Sequence, residues 1–247
     1  TPSVPINSGG LNLNNLFIGS EGTMGIITQA TIMVFSKPEL RVFNTYKFNN
    51  FTQGFNALSR LFDIGIKPAV IDLTEDKDGV HLYLVHEGYT EGVEAETIRS
   101  REVCSLHNGI PIGPKPTAHY WETRYDVAIN YKNKITAKPL KNVSESNSPL
   151  IDFLHVALPI SRVLQYRRES NQIFRTNGIK VIEQAIWTNP EFYSIVVCAE
   201  TKAGRRNLSK AIDMALILAQ DLGGIMEYCH GVGIKLQHLF DRELGIG

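Results

Sequence analysis

Apolar positions along this chain switch between a period of two and a period near 3.6, and the switching predicts its elements. Leu40, Val42, Tyr46 and Phe48 all fall on one face of an extended segment, which reads as a strand. Ala30, Ile32 and Val34 obey the same rule and predict a strand just upstream. Phe51, Phe55, Leu58 and Phe62 recur at helical spacing, and Gly65 followed by Pro68 closes that helix. Strands are expected at about 68–73 and 79–87, the second with Val80, Leu82 and Leu84 on one side. A helix over about 91–107 ends at Asn108-Gly109.

The same order then returns. Ile151–Ala157 reads as a strand, and Pro159 sits where a first helical turn tolerates it. Val163, Tyr166, Ser170, Ile173 and Phe174 form one helical face, stopped by Asn177-Gly178. Strands at about 179–186 and 192–199 precede a helix carrying Leu208, Ile212, Ala215, Leu216, Ala219 and Leu222, capped by Gly223-Gly224. Both halves read β-α-β-β-α, over 40–107 and 151–222. Two ferredoxin-like units with helices on one face predict an α+β domain with one continuous antiparallel sheet. Between them a helix is expected near 117–131, followed by a Lys-, Ser- and Asn-rich stretch, Thr136–Pro149. That stretch reads either as a plain connector or as a mobile lid over a site.

Composition narrows the class. The 247 residues suit one large domain or two small ones, and 43% apolar content is enough for a folded core. Twenty-five basic residues balance 25 acidic ones, so the basic excess of a nucleic-acid binder or a cationic membrane anchor is lacking. Apolar runs such as Met214–Ala219 and Ile195–Ala199 are too short for a transmembrane segment, and Thr1–Pro5 has no secretory pattern. Cys104, Cys198 and Cys229 are odd in number and widely spaced, which argues against a disulfide framework or a structural metal site. The expectation is a soluble, cytoplasmic protein in a reducing compartment, with no metal.

Residues 17–28 carry the most specific pattern: Phe-Ile-Gly-Ser-Glu-Gly-Thr-Met-Gly-Ile-Ile-Thr. Gly19, Gly22 and Gly25 allow sharp turns and close approach of the backbone to a ligand, with Ser20 and Thr23 adding hydroxyls between them. No preceding strand with GxGxxG spacing and no Lys-Ser/Thr follow-on is present, so neither dinucleotide nor P-loop fingerprint applies. From spacing alone this is either a cofactor-approach loop or an ordinary Gly-rich turn.

With Gln29-Ala30-Thr31 appended, this segment resembles the end of the FAD-binding domain in the FAD-linked oxidases, flavoproteins of the vanillyl-alcohol-oxidase type. Asn56-Ala57-Leu58 through Gly65-Ile66-Lys67-Pro68-Ala69, then Trp121-Glu122-Thr123-Arg124-Tyr125, then Tyr228-Cys229-His230-Gly231-Val232-Gly233-Ile234-Lys235, resemble later landmarks in the same order. The resemblance implies FAD as cofactor, lined by Gly19, Ser20, Glu21, Gly22, Thr23, Met24, Gly25, Ile26 and Ile27. It implies that residues 1–38 close an FAD-binding domain and that 39–247 form the cap, or substrate, domain.

Two branches of that family can be weighed. The D-lactate and glycolate dehydrogenases typically carry a Gly-Asp-Gly-Asn-x-His strand and a Glu-His-Gly segment that can hold a divalent metal. Here the strand reads Asn189-Pro190-Glu191-Phe192-Tyr193-Ser194, and Cys229 precedes His230. The alkylglycerone-phosphate synthases instead use a strand tyrosine, a phosphate-gripping arginine and a histidine run. By that resemblance Tyr193 and His230 would move protons and Arg124 would hold the substrate, in an exchange of an acyl group for a fatty alcohol on glycerone phosphate. Tyr228 and Cys229 replace the first two histidines of the run. The alternatives are FAD-linked oxidation of a 2-hydroxy acid such as D-lactate or glycolate, and a non-catalytic cap that needs a separate FAD-domain chain. Expected partners are a small-molecule or lipid-precursor substrate, the missing FAD-domain segment and, at most, a second copy in a homodimer.

Overall fold

The computed structural model describes residues 9–20, 22–137 and 149–245. The chain divides into two compact units, Thr1–Lys37 with Cys229–Gly247, and Pro38–Tyr228.

The larger unit is built on strands β1 (Leu40–Phe48), β2 (Val70–Asp76), β3 (Gly79–Gly88), β4 (Ile110–Gly113), β5 (Leu150–Ala157), β6 (Lys180–Trp187) and β7 (Phe192–Ala199). They form one seven-stranded sheet in the order β4-β1-β3-β2-β6-β7-β5. All recorded pairings are antiparallel. The two β-α-β-β-α halves join along a single seam, where Asp72, Leu73, Thr74 and Glu75 face Trp187, Ile186, Ala185 and Gln184. The expected α+β class, continuous sheet and internal repeat are all present.

In the smaller unit, α1 (Asn14–Phe17) precedes the glycine-rich turn. Within the larger unit, α2 (Phe51–Asp63) starts at Asn50, whose side chain accepts from the Gln53 amide, and stops at the left-handed Gly65. Helix α3 (Thr90–Leu106) ends at Asn108, itself in the left-handed region. Helices α4 (Lys115–Thr123) and α5 (Asp126–Ala137) replace the single helix expected near 117–131, with the break at Arg124-Tyr125. Helices α6 (Ile160–Thr176) and α7 (Lys202–Asp221) complete the second half. Short helices α8 (Gly233–Leu236) and α9 (Asp241–Leu244) lie in the smaller unit.

The core forms where α2, α3, α6 and α7 cover one face of the sheet. Tyr46, Phe48, Leu82, Leu84, Ile71, Leu73, Ile186, Tyr193, Ile195 and Val197 point into it and are buried. Their alternate neighbours line the other face: Phe43, Thr45, Tyr83, Asp72, Trp187, Phe192, Ser194, His155 and Phe153. Of the described helices, α4 crosses that second face. Thr117 at its start bonds Thr45 Oγ1 at 2.7 Å and donates to the Asn44 carbonyl.

Two expectations meet corrections. Strand β4 was not predicted, because four exposed residues carry no burial pattern. Residues Ala30–Val34 form no strand, and Ile26, Ile27, Ile32, Met33, Val34 and Phe35 are exposed. A period-two pattern yields a strand only where a neighbour supplies ladder hydrogen bonds, and no described strand does so there. The stretch expected as connector or lid lies, but for its ends, outside the described residues.

Candidate functional site

The glycine-rich turn belongs to the smaller unit. Gly19 and Gly22 both adopt left-handed backbone, at φ 83° and 81°, and no atom lies within 4 Å of where their Cβ would stand. Ser20 Oγ donates to the Phe17 carbonyl and Thr23 Oγ1 to the Ser20 carbonyl, so both hydroxyls tighten the turn while keeping lone pairs outward. Met24, Ile26 and Ile27 flank it and are exposed. Glu21 lies outside the described residues. His230 lies in this unit too, exposed and followed by Gly231 in the left-handed region.

The remaining site residues belong to the larger unit. Helix α4 is pinned to the open sheet face by Tyr120, whose hydroxyl donates to Asp72 Oδ2 at 2.5 Å while its ring stacks on Tyr83 at 5.0 Å. Asp72 also accepts from the Thr188 amide at 3.2 Å. Burial pushes the Asp72 carboxyl above its usual range, and burial with the Asp72 charge pushes Tyr120 up strongly. One turn beyond Tyr120, Arg124 lays its guanidinium 3.9 Å from the Trp121 ring centre and 4.4 Å from that of Tyr125. Arg41 approaches the same Trp121 ring at 4.4 Å but is paired with Glu87 at 2.6 Å. Among the described residues no carboxylate pairs with Arg124. A planar cation held by stacking alone keeps its forked donors for an anion.

Tyr193 is placed elsewhere. Strand alternation turns it toward the helices, where it is fully buried with its ring edge-on to Phe51 at 6.0 Å and Tyr166 at 5.6 Å. Its hydroxyl donates to Gln184, which in turn donates to Asn171 at 3.0 Å. Burial raises its phenol well above the ordinary tyrosine value. Arg124 and Tyr193 are thus not brought together; they occupy opposite faces of the sheet.

The residues flanking Tyr193 do reach the face that α4 crosses. Ser194 Oγ and His155 Nδ1 share a hydrogen bond of 2.9 Å, and Ser194 Oγ and Tyr228 Oη share one of 3.0 Å. His155 and Ser194 are each 2% exposed, whereas Tyr228 is half-buried. Phe192 stacks on Tyr228 at 4.4 Å, and Trp187 and Phe153 lie beside His155 at 5.4 and 6.5 Å. Sequence reasoning passed over His155 and Ser194, since each stands singly on its strand. Their cross-strand register, His155 opposite Ser194, is the signal that unites them.

No protein-family model matches the chain. It is 36% identical over 255 residues to the "Probable D-lactate dehydrogenase, mitochondrial" of Danio rerio, covering 96% of this chain and 49% of that protein. It is 33% identical over 73 residues to the "Alkyldihydroxyacetonephosphate synthase" of Caenorhabditis elegans, covering 30% of this chain and 12% of that protein. A solved alkyldihydroxyacetonephosphate synthase shares the fold at TM-score 0.69 and 17% identity, over 87% of this chain and 45% of that one. The fold and these similarities place the chain with the C-terminal part of proteins of the FAD-linked oxidase family. The homologues are D-lactate dehydrogenases and alkyldihydroxyacetonephosphate synthase, FAD-binding proteins both. The chain spans about half the length of the relatives that it matches end to end.

The turn at 17–28 fits such a cofactor. Left-handed glycines with open space over them let a flat or phosphorylated group reach the backbone, and exposed Met24, Ile26 and Ile27 offer apolar surface beside it.

Proposed function

We propose that the polypeptide carrying this chain is a flavoenzyme of the alkyldihydroxyacetonephosphate-synthase kind, acting on an alcohol and a phosphate ester. FAD, when bound against residues Gly19–Ile27, supplies the electrophilic and redox-active ring of the reaction. Arg124 holds the phosphate through its free fork. Tyr228, beside Ser194 on the face crossed by α4, takes up the proton of the reacting hydroxyl, and His230 serves as a second proton-moving group. Tyr193, enclosed in the core, braces the strand that presents Phe192 and Ser194.

The observation that carries this reading is the separation of the two polar ends on one face of the sheet, the one away from the core helices. From β1, beneath Trp121, to β7, which bears Ser194, the sheet takes four interstrand steps, or about 19 Å between strand axes at roughly 4.8 Å each. A phosphate set off from the reacting centre by a carbon skeleton spans more of that interval than a 2-hydroxy acid, whose carboxylate adjoins its hydroxyl carbon. A second reading, FAD-linked oxidation of a 2-hydroxy acid, is favoured by the end-to-end similarity to a D-lactate dehydrogenase.

The test uses the whole polypeptide loaded with FAD. Release of fatty acid from acyl-glycerone phosphate, dependent on added fatty alcohol, is expected. Anaerobic bleaching of the flavin by D-lactate or glycolate, without such exchange, would overturn the first reading in favour of the second.

A further inference from the structure

The chain Tyr228–Ser194–His155 is a hydrogen-bonded series that reaches a ring nitrogen, and the geometry points to a directed proton relay, with Ser194 and His155 acting as positioning residues for Tyr228. The inference rests on the reading above, in which an alcohol must lose its proton; that loss is required in both the synthase and the dehydrogenase chemistry.

An ordinary phenol is a poor base in its neutral form and has no charge to offer a hydroxyl proton. It accepts a proton readily only if its own leaves at the same time. Here the way out is built. Tyr228 Oη lies 3.0 Å from Ser194 Oγ, and Ser194 Oγ lies 2.9 Å from His155 Nδ1, both distances within hydrogen-bond range. Serine can accept one proton and donate another, so it conducts without changing charge. The substrate O–H bond breaks as its proton joins Tyr228 Oη. The former phenolic proton passes to Ser194 Oγ, and the former serine proton to His155 Nδ1. The products are an alkoxide and an imidazolium, so charge and protons balance, and the reverse transfer restores the resting state.

The surroundings suit this direction. His155 and Ser194 are shielded from water, which keeps the proton on the series. The Tyr228 ring is clamped flat against Phe192 and stands edge-on to His155 at 5.9 Å, which fixes where its hydroxyl points. Ser194 and His155 are register partners on β7 and β5, so two strands rather than loops set their spacing. The scheme requires His155 to rest as the neutral tautomer with Nδ1 unprotonated.

Nitrogen-15 NMR of the FAD-loaded polypeptide reads that tautomer without any substrate. An unprotonated Nδ1 on His155 is expected, with its resonance moving in S194A; a protonated Nδ1 reverses the series and overturns the relay, whatever the enzyme's substrate proves to be. In turnover, S194A is expected to lower kcat roughly 10- to 100-fold with KM unchanged, and Ser194→Thr, which keeps the hydroxyl, to recover most of it. The double variant S194A/H155A should be no slower than the worse single one, because the members act as a unit. Unchanged kcat in S194A, or losses that multiply in the double variant, would refute the inference. A wild-type polypeptide active on neither substrate class would sink the functional reading but leave the tautomer result to judge the relay.

Discussion

Tyr193 and Tyr228 show how the face of the sheet that a side chain meets decides its role. Tyr193 faces the helices, so its hydroxyl is spent on Gln184 inside the core. Y193F leaves the Gln184 oxygen short of a donor, with an expected cost of about 1–2 kcal/mol in denaturant unfolding and turnover retained within about twofold. Y228F is expected to do the reverse, lowering kcat about 100-fold or more with the melt unchanged. Arg124 makes a third case. Arg124→Lys keeps the charge but loses the stacked fork, so KM for the phosphate ester should rise nearly as far as in R124A. In the glycine turn, Gly22→Val forces a β-branched residue into a φ of 81°, and the purified polypeptide should carry less FAD by visible absorbance.

At the level of elements, helix attachment carries a pH dependence. His86, fully buried on β3, bonds Ser100 of α3 through Nε2 at 2.9 Å. Its Nδ1 has no hydrogen-bond partner among the described residues. Burial holds its imidazole down at about 4. The unfolded chain takes up that proton below roughly pH 6.5, and the folded one only below about 4. Stability is therefore full above that upper value and declines by about 3 kcal/mol as the pH falls to the lower one. Urea midpoints across that range should show the slope, and H86L should flatten it. The second attachment is the clasp of Tyr120 on Asp72, which seats α4 and with it Arg124. Y120F should raise KM for the phosphate ester several-fold while leaving kcat and the His155 tautomer unmoved.

Elements were also where the sequence spoke most plainly. Period-two and period-3.6 runs, with their glycine and asparagine stops, located the paired strands and long helices of both halves, because each buries one well-defined face. What escaped lacks such a face: β4 is exposed throughout, and the α4–α5 break at Arg124-Tyr125 has no proline or glycine to announce it. Tyr193 was legible as a strand residue but not as an inward one, since Phe192, Tyr193 and Ser194 all suit either face. The pairing of His155 with Ser194 needs the register of two strands some forty residues apart, which no local pattern encodes.

Across the larger unit, the proposed phosphate grip and the proposed relay lie on different halves of the internal repeat. Arg124 rides on the first half and Tyr228, Ser194 and His155 serve the second, so R124A should cripple turnover of the phosphate ester while leaving the His155 tautomer unmoved. Their relative placement hangs on the β2–β6 seam, supported from the helix side by Arg167 over Phe51 and its ion pair with Glu75. That seam has a consequence in time. Each half can assemble through neighbours close along the chain, whereas the seam joins residues more than a hundred positions apart. It should be the last ladder to zip during folding and the earliest to fray, with the amides of Leu73 and Glu75 exchanging hydrogen sooner than those of Leu82 and Leu84 on β3.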